Sequence, residues 1–126
     1  MAIRVERVGD VHVIEMEGDF TIGSTAVSKA VDLQGNPLGD LHETLHGLMD
    51  QGHRQILLDL TNVKFMDSAG LGELVSAKKK TMTEGGDIKL LNPSRRVHDL
   101  LSMVRLTDIF DIHQDRDTAL ASFARS

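Results

Sequence analysis

An α/β fold with a mixed, mostly parallel sheet and packed helices is predicted by three features of the chain. From Gln55 onward, strand-like runs alternate with helical runs, an order that needs crossover connections and so parallel neighbours. Near the start, two short β-branched runs flank Gly9-Asp10, the pattern of an antiparallel hairpin. Between these regions the stretch Val63 to Gly72 joins the most strand-like run, Gln55 to Leu60, to a helical run from Ala69 to Gly85-Gly86. The predicted order is β-β-α-β-α-β-α-β-α, in one domain, 1–126, with an insertion at about 21–39.

Ile3, Val5 and Val8 belong to the first strand and Val11, Val13, Ile14 and Met16 to the second, with glycine supplying the positive φ of a tight turn between them. Gly18-Asp19-Phe20 ends the second strand. Thr21 to Gly39 is polar and small, with Asn36-Pro37 as a turn signal, and is long for a connection. The spacing of Ala26, Val27, Ala30 and Val31 predicts a short helical turn within a mobile or partly helical lobe that adds little core. Asp40 and Glu43 have the form of a capping box, and Leu41, Leu45, Leu48 and Met49 fall on one face of the following helix, which Gly52 ends. Ile56-Leu57-Leu58-Asp59-Leu60 is apolar on both faces, as in a central strand.

The helix after Ser68 is lined by Leu71, Leu74, Val75 and Met82, with Lys78-Lys79-Lys80 mostly on its outer side. Asp87 to Leu91 is the next strand. Asn92-Pro93 starts a helix with proline at its permitted first position, and Val97, Leu100, Leu101 and Val104 form its buried stripe. Ile109 to Ile112 is a last short strand and Asp117 to Phe123 a last helix.

With no cysteine, the 126 residues offer neither a disulfide framework nor thiolate chemistry. Fourteen Lys and Arg against 19 Asp and Glu give −5, which argues against a nucleic-acid footprint, and Trp and Tyr are absent for base stacking. No apolar run approaches the roughly 18 residues of a membrane span, so a cytoplasmic protein without membrane contact is expected. No phosphate-cradling loop or other cofactor motif is present: Gly70-Leu71-Gly72 lacks the lysine and spacing of a P-loop.

The chemistry concentrates at the strand-to-helix turn. Asp67 or Ser68 can cap the helix, because a short side-chain oxygen accepts from the unpaired first-turn N–H groups. A hydroxyl there is within reach of another protein, and the helix start favours a phosphate. Ser68 is therefore the candidate switch.

Val63-Lys64-Phe65-Met66-Asp67-Ser68-Ala69-Gly70-Leu71-Gly72 resembles the signature of the STAS domain, the fold of bacterial anti-sigma factor antagonists: an apolar pair, Asp-Ser, a small residue, Gly and Leu. Gly18-Asp19-Phe20, Leu58-Asp59-Leu60, Gly85-Gly86, Asn92-Pro93-Ser94 and Leu106 to Phe110 are similar to the family's other landmarks. Thr21 stands where many members carry an acidic residue, and Thr21 to Gly39 has no counterpart. The resemblance implies a STAS-like fold and a non-enzymatic module that acts by partner switching. The unphosphorylated protein would bind an anti-sigma factor that is also a serine kinase, phosphorylation of Ser68 would release it, and a serine phosphatase would be a further partner. Asp19, Met66, Asp67, Ser68, Ala69, Gly70 and Leu71 are the implied partner-binding residues.

Two other readings compete. His42-Glu43-Thr44-Leu45-His46 matches the His-Glu-x-x-His zinc signature of a small hydrolase, but no downstream pattern supplies a third ligand and Glu43 projects nearly opposite the apolar stripe. No metal is expected, and His12, His53, His98 and His113 read as surface or strand-end residues. Ser68 as a nucleophile would need a Gly-x-Ser-x-Gly elbow, and Met66 stands in place of its first glycine. The other alternative is a passive STAS subunit of a signalling or transport assembly.

Overall fold

The computed structural model describes residues 2–20, 30–32, 34–35, 37–39 and 41–123. In chain order the elements are β1 (Ala2–Val8), β2 (Val11–Phe20), β3 (Ala30–Asp32), β4 (Pro37–Gly39), α1 (Leu41–Asp50), β5 (Gln55–Met66), α2 (Ser68–Thr83) and β6 (Asp87–Leu91). α3 (Arg95–Met103), a 3-10 turn (Leu106–Asp108), β7 (Ile112–His113) and α4 (Arg116–Phe123) follow. The strands form one sheet in the order β4-β3-β1-β2-β5-β6-β7. β2, β5, β6 and β7 are mutually parallel, and β1 pairs antiparallel with β2 through the tight turn at Gly9, whose φ is +61°. This is the α/β, mostly parallel architecture expected, with β5 an interior strand between β2 and β6.

One face of the sheet carries α1, α2 and α3. Leu41, Leu45 and Met49 from α1, Leu74 and Ala77 from α2, and Val97 and Leu101 from α3 close over Ile14, Met16, Ile56, Leu58, Leu60, Ile88 and Leu90. Among the described residues the other face carries only α4, whose Ala119 and Phe123 cover Val11, Val13, Leu57 and Leu91. Burial on both faces explains why β5 begins as an unbroken apolar run.

Several elements depart from the sequence reading. Ala30 and Val31 are not helical: they pair parallel with Ile3 and Arg4 on the outer edge of β1, and Pro37 to Gly39 turn back antiparallel beside them. The edge of β1 offers unpaired N–H and C=O groups that a short strand satisfies, and proline is tolerated at the outermost position. The end of the insertion thus extends the sheet instead of forming a separate lobe; Ala26, Val27 and the proposed cap Asp40 lie outside the described residues.

β5 runs on past Leu60 to Met66, because β2 continues beside it through two irregularities in register, at Glu15/Glu17 and Gly18/Asp19. The buried stripe of α2 is Gly70, Leu74, Ala77 and Thr81, whereas Val75 is at the surface and Met82 is 58% exposed. Lys78 is not outward. Its side chain is 12% exposed, pairs with Asp87 at 2.9 Å and lies over the Phe110 ring.

α3 starts at Arg95, with Ser94 as cap and Pro93 before it, so proline is not the first helical residue. Val104 ends that helix at the surface. Ile109 to Asp111 is a turn instead of a strand: Leu106 and Phe110 are buried one helical turn apart while Ile109 is 53% exposed, and β7 begins only at Ile112.

Candidate functional site

The C-terminal ends of β2 and β5 bring the candidate residues to one rim. Asp19 pairs with Phe65 and Phe20 with Met66 across the two strands. The chain then turns, and the Asp67 N–H donates to the Phe20 carbonyl at 3.3 Å, which fixes where α2 starts. Gly70 makes that approach possible. A Cβ at position 70 would run into the backbone oxygen of Phe20, far inside van der Waals contact, so any larger residue would push the helix off the strand end.

Asp67 is the cap. Its backbone is extended, with φ −97° and ψ −176°, and its Oδ1 accepts from the Gly70 N–H at 2.9 Å. A carboxylate at this place satisfies a free first-turn donor and complements the positive end of the helix dipole. Ser68 is the first helical residue, exposed, and its hydroxyl makes no hydrogen bond among the described residues. The sequence leaves the cap open between Asp67 and Ser68; in the structure Asp67 takes it.

The remaining candidates divide by direction. Asp19 is exposed, and Asp67, Ala69 and Leu71 are partly exposed, so these residues surround Ser68 on the surface. Met66 is 1% exposed inside the main core and Gly70 is buried against Phe20, so both support the site from below. Phe65 of the signature and Arg96, neither among the candidate contact residues, also join the rim: the Arg96 guanidinium at the start of α3 lies 5.0 Å from the Phe65 ring centre, a cation–π contact. Nothing in the sequence links the two, because only the parallel pairing of β5 with β6 brings α3 beside the end of β5.

The zinc-like motif presents a different picture. Glu43 is exposed on α1, and His46 Nε2 lies 3.2 Å from Asp50 on the same helix. The His42 side chain lies outside the described residues, and among the described residues no three His, Asp or Glu side chains converge to hold a metal. His12 is not a surface residue. It is 6% exposed, its ring lies against that of His53 with centres 4.2 Å apart and planes tilted by 41°, and burial, then His53 and Arg7, hold its pKa down to about 4. No described helix is long and apolar enough to cross a membrane.

Comparison with known proteins agrees with this fold. An anti-sigma-B factor antagonist of Bacillus subtilis is 34% identical over 103 residues, which cover 82% of this chain and 89% of that one. A solved anti-sigma factor antagonist (STAS) domain protein from Planctomyces limnophilus superposes with a TM-score of 0.78 over 98% of this chain and 99% of its own, at 19% identity. The Bacillus cell fate determinant SpoIIAA, solved in its phosphorylated form, superposes with a TM-score of 0.64 over 92% of this chain and 95% of its own, also at 19% identity. The STAS domain pattern itself matches residues 2–119, and the chain belongs to the STAS domain family.

Proposed function

We propose that this protein is an anti-sigma factor antagonist, a binding module and not an enzyme, that works by partner switching at Ser68. With Ser68 unmodified it binds an anti-sigma factor that carries serine kinase activity; phosphorylated on Ser68 it lets that partner go, and a serine phosphatase restores it. The observation that carries this reading is the exposed Ser68 at the start of α2, next to a cap supplied by Asp67. The hydroxyl makes no hydrogen bond among the described residues, so a kinase can modify it without dismantling the helix. Support also comes from the relatives, one named an anti-sigma-B factor antagonist and another solved in a phosphorylated form.

The physical logic is that a phosphate adds about −1.5 to −2 of charge at a position where the isolated helix tolerates an anion. In a docked complex the same charge sits beside Asp67 on a desolvated surface, and repulsion and desolvation act against binding. A coupling of ~3 kcal/mol would weaken binding more than a hundredfold. Asp19, Ala69 and Leu71 complete the contact surface, while Met66 and Gly70 hold it in shape.

The test uses the Ser68→Ala protein as bait in extracts of the source organism, followed by binding isotherms for the captured partner. The expected partner is an ATPase of the histidine-kinase-like type that phosphorylates the wild-type chain on Ser68 and leaves Ser68→Ala unmodified. Recovery of a transport assembly, or phosphorylation at another residue, would overturn the proposal.

A further inference from the structure

At the end of the sheet opposite Ser68, the β1–β2 turn and the loop between α1 and β5 enclose a cleft of about 210 Å³ lined by Arg7, Asp10, Gly52, His53, Arg54 and Gln55. β5 separates the two ends by roughly 35 Å, at about 3.3 Å per residue, so this cleft is independent of the switch proposed above. Arg7 spends one N–H, its Nε, on the Gly9 carbonyl at 3.0 Å. Arg54 donates from Nη1 to the Met49 carbonyl at 2.7 Å, at the end of α1. Among the described residues no carboxylate pairs with either guanidinium, which leaves the Nη groups of Arg7 and the Nε and Nη2 of Arg54 uncommitted.

Behind them, the His12 ring lies tilted against that of His53, and His12 Nδ1 is buried with no hydrogen-bond partner among the described residues. Among the residues that line the cleft, two guanidiniums against the single carboxylate of Asp10 make a local positive site on a chain of net charge −5. Guanidinium forks match the oxygens of a phosphate, two N–H donors to two oxygens. The volume falls below the roughly 300 Å³ of an ordinary small-molecule pocket, which suits one oxyanion group and not a nucleotide.

We propose that this cleft binds a phosphate group, held by Arg7 and Arg54 with His53 as an additional donor. A bound dianion would also offset the repulsion from His53 and Arg7 that, after burial, disfavours protonation of His12. The phosphate can be the free ion or the end of a phosphomonoester, and two arms of one experiment separate these sources.

Amide and imidazole NMR shifts of the intact chain are followed while inorganic phosphate, and separately phenyl phosphate, replaces chloride at constant ionic strength and pH 7. Saturable shifts at residues 7–12 and 52–55 are expected, weakened at least tenfold in Arg7→Gln, whose site is exposed and whose thermal unfolding should match wild type. His53→Gln serves as a second variant and should weaken binding in the same direction. Saturation by both probes assigns the cleft to phosphomonoesters; saturation by inorganic phosphate alone assigns it to the free ion. Shifts that do not saturate, that acetate reproduces, or that persist unchanged in both variants overturn the proposal.

Discussion

α2 and α3 both start where a parallel strand ends, and both carry a serine at the start, yet the two serines have different tasks. In α3 the half-buried Ser94 is itself the cap, its Oγ accepting from the Val97 N–H at 3.2 Å. In α2 the cap is the Asp67 carboxylate, and Ser68 follows it, facing outward. Either residue type satisfies a first-turn donor about equally well. A serine next to an aspartate cap is therefore relieved of structural work, and that is the condition under which a hydroxyl can be modified at little cost to the fold.

The largest expected effect tests whether Ser68 is a binding position. Ser68→Glu places a permanent negative charge beside Asp67 and should weaken partner binding by more than a hundredfold, ~3 kcal/mol, while the isolated protein stays folded and gains slightly from the helix dipole. Isotherms and thermal unfolding on the same preparation separate the two signs. Full affinity in this variant would put Ser68 in the same class as Ser94, a residue of local structure.

Two glycines, two residues apart in α2, sharpen the contrast between the part of the helix start that is fixed and the part that is free. Gly70→Ala drives a methyl into the Phe20 carbonyl, a backbone atom that cannot turn away, and overpacking of this kind costs about 1–3 kcal/mol. Gly72 has nothing within 4 Å of where a Cβ would stand, so Gly72→Ala should stabilise the protein by up to about 1 kcal/mol through helix propensity alone. Chemical denaturation of the pair checks both. Equal effects of the two substitutions would mean that α2 is not seated on the end of β2.

Asp67 can be tested by making α2 start as α3 does. Asp67→Ala removes the cap and should cost about 1 kcal/mol, up to about 2, whereas Asp67→Ser restores an acceptor and should recover most of that loss. Unfolding curves for the two variants decide whether the carboxylate acts chiefly as a cap. If the serine variant is as unstable as the alanine variant, the charge of Asp67 matters more than its hydrogen bond to Gly70.

The frame around these sites was legible because it rests on local signals. The Gly9-Asp10 turn, the α1 stripe at Leu41, Leu45 and Met49, and the passage from β5 into α2 each follow from residues a few positions apart. What the sequence hid depends on partners distant along the chain. Thr61-Asn62 breaks the apolar run of β5, and only β2, continuing to Phe20, shows that the strand goes on to Met66. Ala30 and Val31 have helical spacing but lie against the free edge of β1, and pairing there overrides a weak local preference. Lys78 belongs to a lysine run that reads as a solvated face, yet Asp87 and Phe110 draw it inward. His12 on β2 and His53 in the α1–β5 loop meet ring against ring, an encounter that no spacing in either segment announces. Within the rim, the exposed position of Ser68 was predictable; that Asp67 takes the cap, and that Arg96 lies over Phe65, required the fold.

The smallest effects bear most directly on the two serines. Ser94→Ala removes the oxygen that accepts from Val97 and leaves the first turn of α3 one acceptor short at a half-buried place, which should cost ~1 kcal/mol. Ser68→Ala removes a hydroxyl with no described hydrogen bond, at an exposed first helical position where alanine is a good helix former, so its effect should lie within about 0.5 kcal/mol of zero. Paired denaturation curves with shared slopes can resolve that difference. A loss at Ser68 equal to the loss at Ser94 would mean that the Ser68 hydroxyl does structural work in α2 after all. The tolerance that makes Ser68 suitable as a switch would then be gone, and any loss of binding in Ser68→Glu would have to be weighed against a weakened helix before it could be credited to charge.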